Sequence, residues 1–160
     1  MTGGRARLLS VADTVGSAAI AAWVGGHAAL GAYAARIVFR DLERPLAATT
    51  MTTIFRSFDT LIVVAMVALG VALVVRAVAL GADVTRGANL VALVAALALL
   101  AAGVAAETWI HPAIERMFRE GDTLSPAFAA MHKASSRLAD LEVAAAIAWF
   151  GALAWRPARA

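Results

Sequence analysis

Four ionisable residues stand inside or at the rim of long apolar stretches: His27, Asp59, Glu107 and Asp140. Ionisable side chains at such positions are costly to keep in lipid and mark ion or proton sites by default. A second layer lies nearer the helix tips and contains His111, His132, Arg56 and Arg137. Glu107, His111 and Glu115 follow one another at four-residue spacing, which puts them on one helix face. His132, Ser136 and Asp140 do the same. Imidazole and carboxylate from facing helices build the metal sites of helical bundles. That donor set suits zinc, iron, manganese or copper(II), and Met117 and Met131 could add soft ligands for copper(I). No ExxH or HExxH pattern accompanies the set. The competing reading is structural. Arg56 with Asp59, and Arg137 with Asp140 or Glu107, would neutralise one another and fix helix register.

Other chemistries fall away. The chain contains no Cys, which excludes disulfides and thiolate sites. Its net charge of +3 comes from scattered bases without a basic run, so nucleic acid is not expected as a partner. GxGxxG, P-loop and GxSxG patterns are missing. Ser135 and Ser136 lie beside His132, but no oxyanion feature goes with them, so the chain is not expected to be an enzyme. Haem would need a second His level with His27, and the sequence offers none. The only cofactor the residues leave open is a transition-metal ion.

The elements that must position these residues are membrane helices. Of 160 residues, 62% are hydrophobic and 16% charged. Soluble domains carry roughly a quarter charged residues, and a chain this small has too little interior to hide the excess. Four uncharged runs, 14–35, 60–75, 87–106 and 143–155, are rich in Ala, Val and Leu and do not alternate. They predict spans over about 14–38, 54–80, 87–110 and 138–156, from the need for about 20 apolar residues per crossing. Arg76 would snorkel to the interface. Trp149 and Trp155 are candidate interface anchors, with Arg156 and Arg159 at the far headgroups. Arg44-Pro45 and Ser125-Pro126 read as helix starts, the second with Ser as N-cap. Helices 1 and 3 run on to about Arg40 and Arg119, and Pro112 kinks or restarts the third. Ala18, Ala22 and Gly26 give helix 1 a small-residue face.

In an antiparallel hairpin, residues equidistant from the turn share a depth. With turn centres at 42/43 and 122/123, His27, Asp59, Glu107 and Asp140 lie 15.5–17.5 residues from their tips, about 25 Å below them at 1.5 Å per residue. The expectation is one all-α domain over 1–160. It is an integral four-helix membrane bundle with both termini on one side and helix ends projecting from the other. The setting is a bacterial inner membrane with cytoplasmic termini.

Some motifs are also family-like. "WVGGHAALGAYAARIVF", "LAATTMTTIFRSFD", "ETWIHPAIERMF" and "AFAAMHKASSRLADLE" occur in this order. Their order and spacing resemble the small four-helix membrane family typified by transmembrane protein 205, over about residues 14–155. The carrying features are Trp23-x-Gly25, Ile54-Phe55, Trp109-x-x-Pro112 and His132-x-x-Ser135. The resemblance implies four transmembrane helices and no established enzymatic activity. It lends His27 no role, because the family often lacks a His there. The functional expectation is a non-enzymatic binding or accessory membrane protein, a homo-oligomer or a subunit among other membrane proteins. The alternative is a metal-ion or proton transporter using His27, Asp59, Glu107, His111, His132 and Asp140.

Overall fold

Apolar runs with polar interruptions only at their ends make continuous helices, because every backbone N–H and C=O is then satisfied within the segment. The computed structural model describes residues 3–155; Arg156 and Arg159, the expected headgroup anchors, lie outside them. Four long helices form: α1, Gly3–Asp41; α2, Arg44–Leu80; α3, Gly87–Arg119; and α4, Pro126–Ala154. No strand occurs among the described residues. The chain divides into two compact units, Met1–Leu80 and Gly81–Ala160. Each is an antiparallel helical hairpin, α1 with α2 and α3 with α4.

The ends follow local rules. Leu42 is extended, and α2 starts two residues later with Pro45 in its first turn, where a missing N–H costs nothing. α3 closes on Gly121, whose φ of 74° suits a residue without Cβ. The Gly121 N–H donates to Phe118 O at 3.2 Å and the Asp122 N–H to Met117 O at 2.9 Å, the bond pair of a Schellman ending. At the start of α4 the Ser125 hydroxyl accepts from the Phe128 N–H at 3.1 Å. Ser125→Ala is expected to cost about 1 kcal/mol, the usual value of such a cap. Thermal unfolding in detergent, followed by circular dichroism, checks this.

Within each hairpin the buried residues advance by alternating steps of three and four. On α1 they are Leu9, Ala12, Gly16, Ala19 and Trp23; on α2, Ile62, Ala65, Leu69, Ala72, Arg76 and Ala79. α3 contributes Ala92, Ala95, Leu99 and Ala102, and α4 Glu142, Ala145, Trp149 and Ala152. This spacing is that of helices crossing at a small left-handed angle. It also corrects one expectation. Ala18 and Ala22 are exposed, because a strict four-residue step drifts off the seam; only Gly26 of that trio is turned inward, half-buried. Alanine dominates the seams, as it must where backbones approach closely without a hydrophobic drive from water.

Two helices contain a widened π-helical turn: Leu30–Ala34 in α1 and Ala106–Ile110 in α3. The Ala35 N–H donates to Leu30 O and the His111 N–H to Ala106 O, each spanning five residues instead of four. In α3 the turn immediately precedes Pro112, whose ring would otherwise press on the carbonyl four residues back. The expected kink or restart at Pro112 thus takes the form of a local widening. The α1 turn holds no proline, so a ring is not the shared cause. Each turn displays an aromatic at its fourth position, Tyr33 at 72% exposure and Trp109 at 70%.

Candidate functional site

In the first hairpin, His27 and Phe58 meet with ring centroids 5.3 Å apart and planes tilted by 52°. The expected register, equal distance from the turn, is thereby met in this hairpin. A Cβ on Gly26 would fall on the Phe58 ring, so the missing side chain is what seats the phenylalanine beside His27. Asp59 follows Phe58, half-buried, and Arg56 lies a turn earlier, exposed. The hydroxyls of Thr49, Thr52, Thr53 and Ser57 donate to carbonyls four residues back, at 2.9–3.1 Å. They are satisfied on their own helix.

Deeper in the same hairpin lies a pair the sequence reading did not foresee. Arg76 is 1% exposed, and its Nη1 donates to Asp13 Oδ1 at 2.6 Å. Arg76 therefore does not snorkel. A guanidinium stays charged at any accessible pH, and a carboxylate within reach costs less than stretching toward headgroups. The clue was present in the sequence: Asp13 and Arg76 lie within about one turn of equal distance from the first tip.

In the second hairpin, Glu107 sits inside the widened turn and His111 just past it. Their Oε1 and Nδ1 atoms stand 3.4 Å apart, with both side chains mostly covered. One turn on, Glu115 faces Arg119 at 3.7 Å. His132 is exposed and stacks on Phe128, with centroids 6.3 Å apart and planes 3° from parallel. The Ser136 hydroxyl donates to the His132 carbonyl, not to its ring. Asp140 and Arg137 are exposed, and among the described residues no ion pair joins Arg137 to Asp140 or Glu107. Glu142, two residues past Asp140, is the buried acid of this helix, at 2% exposure.

The tryptophans divide. Trp109 and Trp155 are exposed, whereas Trp23 and Trp149 are wholly buried. The expected anchor role of Trp149 is thus corrected: it lies on the seam of α4, between Ala145 and Ala152.

Three helical segments, Gly3–Asp41, Arg44–Thr85 and Gly87–Arg119, are long and apolar enough to cross a membrane. α4, which carries His132, Lys133, Arg137, Asp140 and Glu142, is not among them. The helices point to a protein inserted in a membrane. The chain belongs to the family described as Domain of unknown function (DUF4149), whose model matches residues 18–123. The match runs from within α1 to the link after α3 and stops before α4. No curated protein and no solved structure matches the chain.

Proposed function

We propose that this chain is a non-enzymatic binding or accessory protein of the membrane, working as a homo-oligomer or as a subunit beside other membrane proteins. The observation that carries the reading is the outer seam of α2. Val64, Val67, Val71, Val74 and Val78 are all more than half exposed and recur at the three–four spacing by which one helix lies along another. α4 is a fourth span in this reading, and the termini share the cytoplasmic side of a bacterial inner membrane. The helix ends beyond Tyr33 and Trp109 project from the opposite face, with these aromatics at the interface. Kinship with the transmembrane protein 205 family is part of the same proposal. Because the chain lacks Cys, an introduced thiol is unique. Val71→Cys and Val74→Cys should give disulfide-linked dimers, or crosslinks to a neighbour, in native membranes. No crosslink at either position, with a lone monomer in mild detergent, would overturn the reading.

The facing of Glu107 and His111 favours a second reading, transport of a metal ion or of protons. It would use His27 and Asp59 in the first hairpin, and Glu107, His111, His132 and Asp140 in the second. Equal flux by wild type and Asp59→Asn in proteoliposomes would sink it.

A further inference from the structure

We infer that Glu107 and His111 form a two-donor chelate for a tetrahedral divalent cation of the zinc class. This deepens the transport reading by naming its ligand and two of the atoms that hold it. The Glu107 Oε1 is buried and takes part in no hydrogen bond among the described residues. His111 Nδ1 faces it at 3.4 Å. A charge-assisted N–H···O bond would close to about 2.7–2.9 Å. The observed separation instead matches a metal bite. With zinc–nitrogen and zinc–oxygen bonds of about 2.0–2.2 Å, two donors at a tetrahedral angle stand about 3.3–3.5 Å apart. Octahedral magnesium, at about 2.1 Å and right angles, would need about 3.0 Å and does not favour imidazole. Calcium could accept the spacing but takes oxygen donors only. The donor pair therefore selects as well as the distance does.

The helix supplies the geometry. Glu107 and His111 stand four residues apart on one face of the helix, with Glu107 inside the widened turn at Ala106–Ile110 and His111 directly after it. Pro112 keeps that turn from relaxing, since it has no N–H to re-form an α-helical bond. Two protein donors leave the other positions of a tetrahedral ion to water or to further ligands. That is the pattern of an exchangeable ion, since structural zinc sites are closed.

The full chain in detergent, freed of metal with a chelator, would be titrated with Zn2+ against a chromophoric competitor, and with Co2+ as a spectroscopic probe. One Zn2+ per chain is expected, with the intense visible bands of tetrahedral Co2+. Glu107→Gln, close in shape to the wild type, and His111→Gln should each weaken binding at least about tenfold and abolish those bands; Thr49→Ala, whose hydroxyl bonds only to its own helix, should bind as wild type does. Absence of stoichiometric binding, or unchanged binding in both Gln variants with helical content intact, would overturn the chelate. If one variant does not fold, the other decides. Zinc and proton flux in proteoliposomes separates the two claims. Binding lost in the variants without any wild-type flux upholds the chelate and overturns transport. Flux with unchanged binding in both variants upholds transport and overturns the chelate.

Discussion

Arg76→Met is expected to destabilise the first hairpin by about 3–5 kcal/mol, the usual cost of removing one partner from a buried pair. Arg76 is essentially inaccessible, and its guanidinium is 2.6 Å from Asp13. The loss is not the Coulomb energy of the pair. It is the cost of leaving Asp13, itself mostly covered, without the cation it was folded against. Arg76→Met with Asp13→Leu should therefore recover much of the loss, because an apolar pair of similar volume requires no desolvation of charge. The measurement is a double-mutant cycle from denaturant unfolding in detergent. A coupling near zero would mean that the two residues do not act as a pair.

Trp23→Ala is expected to cost about 3–5 kcal/mol, against about 0.5 or less for Trp155→Ala. Trp23 is wholly covered and Trp155 is 83% exposed. Inside a membrane the comparison is informative, because lipid is as apolar as the side chain and the hydrophobic effect offers little drive between helices. What Trp23→Ala removes is close contact, and the void left behind is not refilled by neighbours as small as Ala19. Trp23→Phe should lose less than half as much. It keeps a ring in place and deletes an indole N–H that finds no acceptor among the described residues. Unfolding midpoints of the three variants under the same detergent conditions test the order.

Much of the fold was legible because the relevant signals are local. Proline at position 45 or 126 permits only a helix start, and the expected starts fall within a residue of Arg44 and Pro126. The runs from α1 to Asp41 and from α3 to Arg119 were likewise carried by residues near the tips. Equal distance from the turn brought His27 to Phe58, one residue from Asp59. The helix faces were less legible. Ala18 and Ala22 fit a four-residue step, but the seam alternates three and four, and alanine-rich sequence satisfies either pattern. Trp149 could serve a rim or a core, and only phase along α4 decides between them. Arg76 was misplaced because its stem permits snorkelling as readily as pairing, and the choice depends on an acid 63 residues away in sequence. The Glu107–His111 spacing was visible, but their separation was not, since it depends on a turn that no residue type announces by itself.

Each widened turn also acts as a frameshift in the helix. The α1 seam of Leu9, Ala12, Gly16, Ala19 and Trp23 would, if simply continued through Gly26 and Leu30, arrive at Tyr33; the α3 seam through Ala102 and Ala106 would arrive at Trp109. Both aromatics instead face outward, and the covered positions resume one residue later, at Ala34 and Ile110. One inserted residue thus lets each helix obey two reading frames, one on either side of the turn. A single deletion within Leu30–Ala34 or Ala106–Ile110 would remove the extra residue and let one α-helical frame run through with the tip faces kept; closing the turn without a deletion would instead rotate everything toward the tip by about 100° and bury the aromatic now displayed. The tip segments and the apolar segments are therefore separately tunable surfaces on one continuous rod.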